Sequence, residues 1–163
     1  MRAAQVEDAP ELARVQNDSW RATYRGLMPA EILDDPSTLA RMIAFYQKAL
    51  SDPNSQLRIA TALTESGRII GVAQAGPPRD ADAHWSQQLD VIYTDAAYHG
   101  QGVSAKLIAA VLDLDKSAAV WTAKLNPRAI AFYQKHGFVA DGARLNYHGT
   151  PAIRMLRLVG NCG

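Results

Sequence analysis

The chain has 163 residues, with 17 Lys and Arg against 16 Asp and Glu, for a formal net charge of +1. That length fits one domain at roughly 100–200 residues per domain, and such a chain buries about 68–70% of its unfolded surface without a disulfide or metal. The near-neutral balance speaks against a nucleic-acid or membrane-surface partner, because such binding leans on a basic patch. At the N-terminus, Met1 runs straight into Arg2, Gln5, Glu7 and Asp8. No signal peptide is expected there, nor a run of 18 apolar residues anywhere, so the expected location is cytoplasmic.

Residues 2–6 read as a short first strand. Helical periodicity begins near Asp8-Ala9-Pro10, with Asp8 as N-cap. Leu12, Val15 and Ser19 share one face, and Trp20 and Tyr24 pair at i, i+4. Gly26 and Pro29 break this helix. A second helical region covers about 30–50, jointed at Pro36 and stopped by Pro53-Asn54. Gln56 to Leu63 and Arg68 to Ala75 form a hairpin around Glu65-Ser66-Gly67, and a further strand runs from Gln87 to Thr94. The turn Tyr98-His99-Gly100-Gln101-Gly102 opens a helix carrying Leu107, Ile108, Val111 and Leu112. Ala118 to Ala123 is a short apolar strand. Asn126-Pro127 starts a helix that His136-Gly137 ends. Two closing strands, about 138–146 and 151–158, flank a turn at His148-Gly149. The order is that of a mixed sheet with helices on it, in the α/β class. The one cysteine, Cys162, has no disulfide partner and no ligand cluster around it, so no metal is expected.

A strand, a glycine turn and a helix N-terminus make an anion site. The first N–H groups of the helix lack internal partners, and the helix dipole favours negative charge there. Glycine also lets a phosphate approach the backbone closely. The plain alternative is that Gly100 and Gly102 only make a sharp turn. A P-loop would need G-x-x-x-x-G-K-[ST], which is absent. Gly100-x-Gly102-x-x-Ala105 matches a dinucleotide fingerprint weakly, but the following strand, residues 118–123, ends without the acidic residue that would hold a ribose.

A second element carries more information. Asn126-Pro127-Arg128-Ala129-Ile130-Ala131-Phe132-Tyr133-Gln134-Lys135-His136-Gly137-Phe138 resembles the N-x-x-A-x-x-x-Y-x-x-x-G-F signature of the GNAT superfamily of acyl-CoA-dependent N-acetyltransferases. The turn at 99–104 resembles that superfamily's [RQ]-x-x-G-x-[GA] acetyl-CoA motif, with His99 where Arg or Gln is usual and Ser104 where Gly or Ala is usual. The resemblance covers about residues 1–158. It implies a central, mostly antiparallel sheet of about six or seven strands flanked by about four helices. It also implies acetyl-CoA as co-substrate, no metal, and one N-acetyltransferase domain over residues 1–163. Homodimers are common among such relatives.

By the same resemblance, the pantetheine arm bonds to the backbone of Ile92, Tyr93 and Thr94. The pyrophosphate sits on the turn at His99, Gly100, Gln101, Gly102, Val103, Ser104 and Ala105, and Lys106 either adds charge or is simply solvated. Asn126 is either an N-cap before Pro127 or a contact to the cofactor arm. Tyr133 is core packing when read alone. Matched to the motif, it is the acid that protonates the departing thiolate: tyrosine, at about 10, can donate to a thiolate of thiol pKa about 8.5 in a dry site. The proton of the attacking amine needs an acceptor. Gln88, Asp90, Ile92 and Thr94 are expected on one face by period-two alternation, and Asp90 is the ionisable group among them. Burial would have to raise its pKa to make it a base. A polar residue pairing with the neighbouring strand is the other reading of Asp90, and His84 is an alternative base.

Trp20, Tyr24 and Tyr147 are candidate walls for the acceptor, a small-molecule or peptide amine. Glu31, Asp34 and Asp35 are either an attractive patch for a cation or a solvated face. Two other functions fit the residues less well. A non-catalytic acyl-CoA-binding regulatory module would not need Tyr133, and a tRNA-modifying toxin would present a basic groove that +1 does not supply. Direct attack in a ternary complex fits the absence of a marked nucleophile.

Overall fold

The computed structural model describes residues 1–159, so Cys162 lies outside the described residues. Seven strands form one sheet in the order β1-β2-β3-β4-β5-β7-β6. They are β1 (Arg2–Ala3), β2 (Arg58–Leu63), β3 (Ile69–Gly76), β4 (Gln87–Thr94), β5 (Ala118–Ala123), β6 (Val139–Tyr147) and β7 (Thr150–Arg157). Every neighbouring pair is antiparallel except β4 and β5. The helices are α1 (Ala9–Tyr24), α2 (Ala30–Leu33), α3 (Thr38–Ser51), α4 (Val103–Val111) and α5 (Pro127–Lys135).

The strand β3 is buried along its whole length, as its run of Ile, Val, Ala and Gly requires. One face of the sheet takes α1 and α3, whose Leu12, Val15 and Tyr46 pack on Ile59, Val72, Val91 and Tyr93. The other face takes α4 and α5, whose Leu107, Ile108, Val111 and Tyr133 pack on Ala73, Leu89, Val120 and Met155. The loop 77–86 covers the β5 and β7 end of the first face, with Trp85 on Ala119 and Leu156.

An ion cluster anchors that loop. Arg154, 6% exposed on β7, bonds Asp80, Asp82 and Asp141 at 2.7–3.0 Å. Its guanidinium lies 4.6 Å from the Trp85 ring centre, and Trp121 donates its Nε1–H to Asp80 at 3.0 Å. The charge-assisted bonds hold the carboxyls of Asp82 and Asp141 below their ordinary range.

Two expectations change at the start of the chain and a third on β4. The first strand stops at Ala3, because Val6–Asp8 turns as a short 3-10 helix. Asp8 is the N-cap residue of α1 as expected, but its carboxylate bonds Arg2 and the Gln5 N–H and makes no side-chain cap. A second 3-10 turn, Ala96–Tyr98, precedes the glycine turn.

The third correction concerns β4. Gln74 pairs with Val91 but Ala75 pairs with Leu89, so Asp90 is the extra residue of a β-bulge. The bulge breaks the alternation. Asp90 joins Gln88 and Gln74 on the face of α1 and the 77–86 loop. Ile92 and Thr94 lie on the face of α4, where Ile92 joins the apolar cluster and Thr94 meets Ser104. The four residues therefore do not share a face.

Two predictions follow from these anchors. The turn between β6 and β7 has His148 at φ 50° and Gly149 at φ 82°, the left-handed pair of a type I′ hairpin. Gly149→Ala should cost about 1 kcal/mol in urea unfolding, and His148→Asn should gain a few tenths. Arg154→Ala leaves three carboxylates clustered without their cation and should cost about 3 kcal/mol at pH 7. That loss should shrink as pH falls below the ordinary carboxylate range and through the depressed pKa values of Asp82 and Asp141, where protonation removes the Arg154 bonds of the wild type.

Candidate active site

Strands β4 and β5 pair over three positions only, Gln87–Leu89 with Ala118–Val120. Beyond the Asp90 bulge they part. A cavity of about 1000 Å3 fills the gap and continues past the glycine turn at the start of α4. Leu89 to Thr94 line one wall, and Val120, Trp121 and Thr122 line the other.

The backbone edge inside the gap is partly free. Asp95 donates its N–H to the Ile70 carbonyl on β3. By antiparallel alternation, Tyr93 also points its N–H and C=O at β3, while Ile92 and Thr94 point theirs into the gap. Tyr93 thus offers no free backbone group to a ligand. The Thr94 carbonyl accepts a hydrogen bond from His99 Nε2 at 2.9 Å.

At the turn, Gly100 (φ 76°) and Gly102 (φ 77°) adopt left-handed conformations, and no atom lies within 4 Å of where a Cβ would stand. Gly102 is the N-cap residue of α4 and supplies no side-chain cap, so the first N–H groups of α4 are left for an anion. His99, Gly100, Gly102, Val103, Ser104 and Ala105 line the cavity. Gln101 does not, and its side chain donates to the Ala97 carbonyl. Lys106 is also absent from the lining.

Cations that the sequence did not single out stand there instead. Arg14, Arg68, Arg128 and Lys135 line the cavity. Arg14 is paired with Glu11 and Asp18. Arg68, Arg128 and Lys135 have no carboxylate partner among the described residues. Arg128 lies inside the 126–138 motif and was visible there as an unconstrained position. Arg68 reaches the site only through the β2–β3 turn, where it bonds Tyr98, a proximity no local pattern encodes.

Deeper in the cavity lies Tyr133, buried on α5 with its ring 5.9 Å from Phe138. Its hydroxyl has no protein hydrogen bond among the described residues, and burial pushes its pKa above the ordinary tyrosine value. Tyr24 and Tyr93 stand nearby, and burial raises their pKa values as well. Asn126 caps α5 by accepting the Ala129 N–H at 3.1 Å while also lining the cavity, so both of its readings are compatible.

Asp90 lies across the gap. Its carboxylate is bonded by Arg79 at 2.9 Å and Gln74 at 3.4 Å, yet burial outweighs these contacts and raises its pKa. Trp20 packs on Tyr24, with ring centres 6.2 Å apart, but does not line the cavity, and neither does Tyr147. His84 packs edge-on against Trp85, outside it. Asp34 and Asp35 are bonded by Arg21, Arg25 and Arg41, which cancels the attraction considered for them. Among the described residues no group of three or more His, Cys, Asp or Glu is placed to hold a metal, and no helix is long and apolar enough to cross a membrane.

Comparison with known proteins adds the following. The acetyltransferase (GNAT) family matches residues 12–138. The chain is 28% identical over 141 residues to the uncharacterized N-acetyltransferase YuaI of Bacillus subtilis, covering 83% of this chain and 78% of that one. It is 27% identical over 159 residues to Rv2775 of Mycobacterium tuberculosis, named as a probable N-acetyltransferase, covering 95% of this chain and 88% of that one. The fold is similar to that of the PaiA N-acetyltransferase of Thermoplasma acidophilum, solved in complex with coenzyme A. The TM-score is 0.71 at 18% identity, over 94% of this chain and 95% of that one. A Corynebacterium glutamicum protein titled as histone acetyltransferase HPA2 and related acetyltransferase gives a TM-score of 0.69 at 19% identity, over 98% of each chain.

The placement of Asp90 carries a stability prediction. A carboxyl whose pKa is raised in the folded protein contributes stability at low pH that is lost as pH rises through the folded pKa. At pH 7 the buried charge is therefore a net cost. Asp90→Asn should leave Tm at pH 7 unchanged or higher, and the advantage should vanish near pH 3. A lower Tm at pH 7 would mean that the Arg79 contact dominates.

Proposed function

The chain belongs to the acetyltransferase (GNAT) family, and from that premise we propose that it moves an acetyl group from acetyl-CoA to a primary amine of a small molecule or peptide. The reading treats residues 1–163 as one catalytic domain. Its main support is the parting of β4 and β5, which leaves an open backbone edge running from the glycine turn to the Tyr133 hydroxyl.

Each part of acetyl-CoA has a place along that edge. The phosphates lie at the N-terminus of α4, over Gly100 and Gly102, where N–H groups and unpaired cations converge. The pantetheine arm runs into the gap as an added strand, bonding the backbone of Ile92 and the N–H of Thr94. Asn126, with its amide nitrogen still available, contacts the arm from the α5 side. The thioester then reaches Tyr133.

The amine nitrogen attacks the thioester carbonyl carbon, a C–N bond forms and the C–S bond breaks. A backbone N–H of β4 holds the charge developing on the carbonyl oxygen. Tyr133 donates its proton to the departing thiolate and regains one from solvent. Burial raises its pKa, so it carries its proton at neutral pH. Asp90, with its pKa raised by burial, takes the amine's proton directly or through water. Tyr24 and Tyr93 wall the acceptor side, with Trp20 and Tyr147 behind and beyond them.

The test is thiol release from acetyl-CoA with an amine panel, followed by mass analysis of the amine. Tyr133→Phe should lower kcat roughly a hundredfold, as expected for loss of a positioned acid, while CoA affinity stays within about twofold. Equal turnover with an unchanged pH profile would remove Tyr133 from this role. Asp90→Asn should abolish the acid limb of the kcat/KM profile.

A further inference from the structure

His99 and Arg128 form a contact that the proposed reaction does not by itself explain. The His99 Nε2 faces the Thr94 carbonyl oxygen at 2.9 Å. A carbonyl only accepts, so Nε2 carries the hydrogen of that bond. The Nδ1 atom is then the acceptor, and Arg128 Nη1 donates to it at 2.8 Å. The tautomer is thus fixed by the end of β4, and the ring becomes an anchor for a guanidinium.

Arg128 comes from the first turn of α5, and His99 directly precedes Gly100. The contact therefore fixes the guanidinium beside the glycine turn, on the cavity wall. Arg128 is exposed and has no carboxylate partner among the described residues, and only one of its N–H groups is used on His99. An exposed arginine usually samples many rotamers, whereas this one is tethered at its tip over an anion cradle. A planar guanidinium with spare N–H groups is suited to phosphate oxygens.

We propose that Arg128, positioned by His99, clamps the pyrophosphate of the acyl-CoA substrate against the glycine turn. Arg128 is the ligand-contacting residue and His99 is its positioning residue. The pair does the work of a cation at the head of the turn, using a residue 29 positions downstream. The proposal rests on the acetyl-CoA reading above.

The experiment is calorimetric titration of the full chain with CoA, with dephospho-CoA, which lacks the 3′-phosphate, and with pantetheine, which lacks every phosphate. Arg128→Gln should weaken CoA and dephospho-CoA equally, by roughly tenfold, and leave pantetheine unchanged. His99→Ala should weaken both nucleotides by about threefold, and the double variant should bind no more weakly than Arg128→Gln alone. Unchanged Tm values would show that both variants are folded. Equal CoA affinity in wild type and Arg128→Gln would overturn the clamp while leaving the acetyl-CoA reading intact. A loss confined to CoA and absent for dephospho-CoA would overturn the pyrophosphate assignment. Full additivity of the two substitutions would overturn the positioning role of His99. Failure of the wild type to bind CoA would overturn the acetyl-CoA reading and the clamp with it.

Discussion

Buried backbone N–H and C=O groups must find partners, and the middle of this sheet leaves some without any. After three residue pairs, β4 and β5 separate, and the edge groups of Ile92 and Thr94 face a cavity instead of a strand. The bulge at Asp90 sits at the point of separation. Parting the strands is tolerable because the cluster under α4 and α5 spans both half-sheets on one face, while α1 and α3 cover β2, β3 and β4 on the other. The closing hairpin β6–β7 pairs along the far side of β5, so β5 keeps a full ladder on that edge. An incomplete ladder between otherwise well-packed strands is a slot for an extended ligand with its own amide groups.

Charge is distributed to match. The whole chain is nearly neutral, and its acidic residues are largely consumed in ion pairs. Arg154 gathers three aspartates under the 77–86 loop, and Arg21 and Arg25 hold Asp34. What remains uncompensated among the described residues includes Arg68, Arg128 and Lys135, all on the cavity that begins at the helix N-terminus. A net charge of +1 thus coexists with a locally positive mouth. On the other side of the gap the balance reverses: burial raises the pKa of Asp90, and Tyr24, Tyr93 and Tyr133 line the cavity without adding charge at neutral pH. In the proposed reading Tyr133, Asp90 and the phosphate cradle lie apart along one groove, and their roles rest on burial and the helix dipole.

Much of this was legible in the sequence, for local reasons. The bounds of β4 and β5 coincide with apolar runs bordered by turn residues, and α5 starts at Asn126-Pro127 because cap and first-turn preferences agree there. Gly100 and Gly102 announced the left-handed turn. What escaped was set by tertiary structure. The bulge at Asp90 has no signature in Gln-Leu-Asp-Val-Ile, so simple alternation put Asp90 on the face of Ile92. Asp8 is the N-cap residue of α1, but Arg2, brought alongside by the chain entering the sheet, takes the carboxylate that would have capped it. Lys106 is solvated, one of its two readings, and the cations on the cavity come instead from α1, from α5 and from the β2–β3 turn. Trp20 and Tyr147, aromatic residues expected at the acceptor end, are not part of the cavity lining.

The open edge of β4 can be examined residue by residue with amide hydrogen exchange, read by NMR in the free protein and with CoA. In the free protein the amides of Ile92 and Thr94 should exchange faster than those of Tyr93 and Asp95, which are bonded to β3. Adding CoA should slow Ile92 and Thr94 and leave Tyr93 and Asp95 as they were. Protection of Ile92 and Thr94 without ligand, or CoA binding that leaves them fast, would contradict the account of the parted strands as the seat of the substrate arm.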